Sequence, residues 1–149
     1  MDYLEIMSFC GYDMEAADRM VNEMSKTWKR YQPNPCARSV GDCAVRAVSA
    51  ALDVSWSEAY DLLVDEGRRQ CDMPSADACW GAALKKHGFT KAVLPVMPYY
   101  TAEDFVKYHP EGIYVLAFGG HVACVRDGLL LDSWDSSNEV PIYYYYRRT

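Results

Sequence analysis

Residues 113–134 read IYVLAFGGHVACVRDGLLLDSW, and this stretch decides how the chain folds. Ile113 to Phe118, His121 to Arg126 and Leu129 to Trp134 are three strand-like runs, apolar and rich in β-branched side chains. Asp127-Gly128 between the last two is a two-residue hairpin signal. Pairing Arg126 with Leu129 across that turn sets position 123 opposite Asp132. His121 and Ala123 share a face, because side chains alternate along a strand. Asp132 then lies one to two residues from the level of His121, within reach of a diagonal contact. Cys124 points the opposite way and is read as packing.

Outward from this core, Pro141 to Tyr146 predicts a last strand, aromatic and open to an edge position. Its four tyrosines, Tyr143 to Tyr146, suit a covered strand, with pairing to a second copy as the alternative. Ala92 to Val96 predicts a strand, and Thr101-Ala102-Glu103-Asp104 opens a short helix ending near His109-Pro110. Upstream the pattern is helical. Asp42 is a good N-cap for a helix from Cys43 to about Leu52, whose buried face is small: Ala44, Ala47, Val48 and Ala51. Ser55-Trp56-Ser57-Glu58 is a capping box for a helix to about Gly67. Pro74-Ser75 precedes another helix, stopped by Gly88. Pro33, Pro35 and Gly41 make residues 31–41 a loop. Residues 13–30 predict one helix with the stripe Met14, Ala17, Val21, Met24 and Trp28, packed on the core or docking a partner. Helices first and strands later predict an α+β fold with an antiparallel sheet. The 149 residues suit one domain, 1–149, with residues 1–30 a helical segment packed on it.

Charge narrows the partners. Fifteen basic and 21 acidic residues give −6, and the densest basic runs are Lys85-Lys86 and Arg147-Arg148, so nucleic acid is not an expected partner. The acidic start Met1-Asp2-Tyr3-Leu4-Glu5 is unlike a secretory signal. No apolar run reaches the ~20 residues of a membrane span. A cytoplasmic location is expected, in the producing cell or in a host cell. The six cysteines contain no CxxC pair, and free thiols without metal or cofactor are the expectation. Cys36, in the loop before Cys43, is a candidate redox partner.

Cys43 is the candidate nucleophile. The first turn of a helix offers free backbone N–H groups and the positive end of its dipole, which favour a thiolate and an oxyanion. Gly41 leaves room for substrate backbone. His121 after Gly119-Gly120 is the candidate base, and Asp132 the group that orients it. Asp135 is the alternative orienter, on the other face if the strand continues. His87 and His109 are assigned to a helix end and a turn.

Gly41-Asp42-Cys43 opening a helix, Gly120-His121-Val122-Ala123 opening a strand and Asp132-Ser133-Trp134 on the next strand together resemble the papain-like cysteine peptidases. Residues 41–63 and 112–146 are also similar to small papain-fold proteins of phages and gut bacteria. The resemblance implies a papain-like fold, the Cys-bearing helix packed on a C-terminal sheet, and a Cys43–His121–Asp132 triad with Trp134 as its cover. It implies hydrolysis of a peptide or isopeptide bond in a peptide or protein substrate, by a monomer or weak homo-oligomer. Six residues before the nucleophile, where the family carries an oxyanion glutamine, stands Ala37. Gln32, Asn34 and Arg38 of the loop are candidate substitutes, and Asp42 is a further substrate-binding candidate. Asp132 stands where the family usually has asparagine. Two rival readings use the same frame. One is an acyltransferase of transglutaminase-like or arylamine acetyltransferase-like chemistry. The other is a catalytically weak binding protein.

Overall fold

A computed structural model describes residues 2–24 and 27–148. Strand alternation builds its centre. β3 (Ile113–Phe118) and β4 (His121–Arg126) pair antiparallel, with Phe118 opposite His121. Gly120 turns between them at φ +82°, a left-handed conformation that glycine adopts without a Cβ clash. β5 (Leu129–Asp132) returns along β4 in the register Arg126↔Leu129 and Cys124↔Leu131, as the Asp127-Gly128 turn predicts. β6 (Tyr143–Arg147) lies on the other side of β3, and β2 (Thr90–Val93) on the far side of β6. A short β1 (Trp28–Arg30) closes the opposite edge, for the order β1-β5-β4-β3-β6-β2.

The sheet is covered on both faces, which is why β3 and β4 are apolar without interruption. Val115, Ala117, Val122 and Cys124 face α3 (Cys43–Leu52), α4 (Trp56–Gln70) and α5 (Asp77–Lys86), in a core with Leu63, Trp80 and Leu84. Leu116, Ala123, Val125 and Leu130 face the other way, onto Phe105 and Val106 of α6 (Ala102–Tyr108). Each large apolar side chain so buried contributes ~1.5–3 kcal/mol. Ala44 to Ala51 of α3 are all buried, and small side chains let this helix lie close along β4. Two further helices, α1 (Tyr3–Phe9) and α2 (Met14–Met24), precede β1. Among the described residues the fold is thus α+β, six helices and a six-stranded mixed sheet, and no helix is long and apolar enough to cross a membrane.

Several boundaries differ from the sequence reading, each for a physical reason. The helix expected over 13–30 ends at Met24, and Trp28 instead opens β1, which pairs parallel with β5 and makes the sheet mixed rather than antiparallel. Residues 1–30 are therefore not wholly helical. Ala17 of the predicted stripe is buried and Met14 is exposed; the side chains of Val21 and Met24 lie outside those described. Gly67 does not end α4, which runs to Gln70. A Cβ there would sit 2.8 Å from the Asp72 carbonyl oxygen, so glycine answers a close backbone approach within the helix. Ser55 does cap α4, accepting from the Glu58 N–H at 3.1 Å. The strand expected from Ala92 is shifted to start at Thr90, and the Tyr143 to Tyr146 run lies inside the sheet rather than at its edge.

Candidate active site

Three element ends meet at one place: the start of α3, the start of β4 and the end of β5. They bring Cys43, His121 and Asp132 together across 89 residues of chain (132 − 43). His121 Nε2 lies 2.6 Å from Asp132 Oδ2, on the diagonal that the hairpin register predicts. That bond commits Nε2 and leaves Nδ1 as the ring nitrogen available to the Cys43 thiol, with which the ring is electrostatically coupled. Phe118 stacks along one side of the imidazole at 5.9 Å between centroids, and Trp134 lies at 5.0 Å. Trp134 is 44 % exposed.

Asp132 is held at both carboxylate oxygens and at its carbonyl. Its Oδ2 accepts from His121 and from the buried Ser136 hydroxyl at 2.6 Å. Its Oδ1 accepts from the Arg46 guanidinium at 3.2 Å and the Ser133 N–H at 2.8 Å. Its backbone carbonyl accepts from the Tyr31 N–H and the Trp28 indole. Asp135 instead accepts from the Ser137 N–H in the following turn and is exposed, whereas Asp132 is the carboxylate bonded to His121.

Arg46 is the residue that sequence reasoning missed. Its guanidinium is buried between two carboxylates, Asp132 and Asp42, and bonds both. The signal was present: Arg46 is the one charged residue in the helix CAVRAVSAAL. A cation survives in a buried helix only when paired, so its place asks for acidic partners. Asp42 answers that demand and for this reason does not act as the expected cap. Its carboxylate bonds Arg46 and, at 2.9 Å, the Trp56 indole, and it makes no side-chain bond to the first turn of α3. Asp42 is therefore withdrawn as a free substrate-binding group.

The charges around Cys43 decide its protonation. Burial alone pushes the thiol up. The hydrogen bond with His121, a backbone bond at Val122 and the positive charges of His121 and Arg46 outweigh burial and hold the thiol below its ordinary 9.0. Burial alone pulls His121 down. Hydrogen bonds with Asp132 and Cys43, and their negative charges, raise the imidazole from 6.5 to about 9. Both shifts favour the state in which the proton rests on the ring and the sulfur carries the charge.

The loop candidates are placed differently. Gln32 directly follows Tyr31, whose N–H is anchored on Asp132, but its amide bonds run within the loop, to the Arg38 carbonyl and the Asn34 N–H at 3.4 Å. Asn34 Oδ1 accepts from the Cys36 N–H at 2.9 Å, and Arg38 is exposed. Among the described residues neither Asn34 nor Arg38 bonds Cys43, His121 or Asp132. Cys36 is exposed, and all six cysteines are free. His87 and His109 each bond a carbonyl four residues back at a helix end, as expected for His87 and where a turn was expected for His109. Among the described residues no cluster of three or more His, Cys, Asp or Glu side chains is arranged for a metal ion. No family model, no curated protein and no solved structure matches this chain.

Proposed function

We propose that this chain is a papain-like cysteine hydrolase that cleaves a peptide or isopeptide bond through an acyl-enzyme on Cys43. The observation that supports the reading is the His121 imidazole bonded to the Asp132 carboxylate and electrostatically coupled to Cys43 at a helix N-terminus. The Cys43 thiolate attacks the scissile carbonyl carbon, and the carbonyl electron pair moves onto oxygen. The Cys43 backbone N–H, at the open first turn of α3, receives that oxyanion. The intermediate collapses as His121 gives its proton to the leaving amine. Neutral His121 then takes a proton from water, whose oxygen attacks the thioester; the acid leaves and the thiolate–imidazolium pair returns. Asp132 holds the ring orientation throughout, and Phe118 and Trp134 flank it against solvent.

An activated peptide ester tests this directly. Intact-mass spectrometry after rapid mixing is expected to show one acyl group, mapped by peptide digestion to Cys43, that decays to free acid. Acylation at another residue, or none, overturns the proposal. Transfer to an added amine in preference to water moves the assignment to the acyltransferase reading.

A further inference from the structure

Five residues close a ring through the triad. Cys43 and Asp42 are joined by a peptide bond. The Asp42 carboxylate accepts from Arg46 Nη1. Arg46 Nη2 donates to Asp132 Oδ1 at 3.2 Å. Asp132 Oδ2 lies 2.6 Å from His121 Nε2, and the imidazole is electrostatically coupled to Cys43. Arg46, on α3, is the member that joins the nucleophile's helix to the carboxylate on β5. A guanidinium suits that place. Its two terminal nitrogens leave one rigid plane in fixed directions, so the bond to Asp42 and the bond to Asp132 cannot vary independently. The other Asp42 oxygen is fixed by the Trp56 indole at 2.9 Å, and the Asp42 carbonyl accepts from the Arg46 N–H at 2.9 Å. The segment that carries the sulfur is thereby tied on both sides of Cys43. Arg46 and the Ser133 N–H together occupy Asp132 Oδ1, which turns Oδ2 toward His121 and Ser136.

Stability alone is a weak reason for this arrangement. Arg46 Nε is buried with no hydrogen-bond partner among the described residues. Replacing a whole buried group of charges by apolar side chains is often neutral or stabilising, although removing one member alone is costly. Geometry is the stronger reason: an apolar side chain fills the space between α3 and β5 but fixes no carboxylate. We propose that Arg46 is a positioning residue, whose planar fork ties the Asp42–Cys43 segment to the Asp132 carboxylate and so sets where the sulfur stands relative to the imidazole. The proposal rests on the hydrolase reading above and adds a residue outside the triad on which its turnover depends. A displacement of about 1 Å between reacting groups is worth about 10²-fold in rate, so the role is measurable.

Arg46→Lys tests this, because lysine keeps the charge but has one nitrogen in place of the fork. Rates on an activated peptide ester are taken per folded molecule, with the folded fraction from denaturant titration. kcat is expected to fall about 10²-fold while KM stays within about twofold. The His121 ring, titrated by NMR, needs no substrate. Its titratable neighbours are Asp132 from β5 and Cys43 from α3, and their hold raises it to about 9. A looser Asp132 holds the ring proton less well, so the midpoint is expected to move toward 6.5 in Arg46→Lys. An arginine that only stabilised the fold would shift the unfolding midpoint and neither of these. Asp42→Ala cuts the ring of contacts at its other side and is the second variant; kcat is expected to fall there as well. Wild-type kcat in either folded variant, or an unmoved His121 midpoint in Arg46→Lys, overturns the positioning role. A wild-type chain that turns over no ester overturns the hydrolase reading instead, and the His121 titration then decides the role of Arg46.

Discussion

Asp132→Asn is expected to lower turnover by up to about 10⁴-fold, the scale seen when the orienting carboxylate of a triad becomes an amide. Asparagine is the usual residue at this position in the family the sequence resembles, so the expectation needs its own argument. All four bonds to the Asp132 carboxylate come from donors: His121 and Ser136 on one oxygen, Arg46 and the Ser133 N–H on the other. An amide has one accepting oxygen. Its NH₂ must point either at His121 and Ser136 or at Arg46 and Ser133, donor against donor in a buried site. The first orientation disfavours the tautomer that leaves Nδ1 facing the sulfur. The second sets an amide against the buried Arg46 guanidinium and leaves Asp42 as its remaining carboxylate. Asp132 also contributes to the rise of His121 to about 9. Activity needs the imidazolium as proton donor, so it falls as pH rises through that value. Removing the carboxylate lowers the ring's affinity for a proton, and the alkaline limb is expected to move to lower pH. A pH–rate profile of the variant measures both effects. Unchanged turnover and an unmoved limb count against the assigned role.

Arg46→Leu is expected to lower the free energy of unfolding by about 3–5 kcal/mol, the usual cost of removing one member of a buried ion pair. Arg46 and Asp42 are each 6 % exposed and Asp132 is 1 % exposed. Without the guanidinium, two carboxylates are left facing one another in the interior. Denaturant titration is the measurement, read as a shift in midpoint at constant slope. The double variant Arg46→Leu, Asp132→Asn is expected to be more stable than the summed single losses predict, because the two residues touch. A loss below about 1 kcal/mol, the scale of an exposed pair, contradicts the burial argument.

The β3–β4–β5 meander was legible because it is local. Period-two alternation and the Asp127-Gly128 turn define the register within twenty residues, and that register alone sets Asp132 diagonal to His121. β1 was not legible for the converse reason. Trp28–Arg30 is three residues long, continues a helical stripe in spacing, and becomes a strand only by pairing with β5, about a hundred residues on. Asp42 shows a local preference overridden by tertiary structure: its capping propensity is real, but a buried arginine one turn on is the stronger claimant. Ser136 and Phe118 carried no signal, since a serine in a turn and a phenylalanine ending a strand are ordinary until the fold brings them to Asp132 and His121.

The thiolate of Cys43 is the claim on which the chemistry stands, and its titration is the most direct measurement. Alkylation by iodoacetamide across pH, resolved peptide by peptide, compares Cys43 with the exposed Cys36 and Cys71 in the same tube. Cys43 is expected to react with a midpoint below 9.0, and His121→Ala is expected to return that midpoint toward the ordinary thiol value. A Cys43 that titrates with Cys36 and Cys71, or that stays as inert as the buried Cys124, contradicts the account.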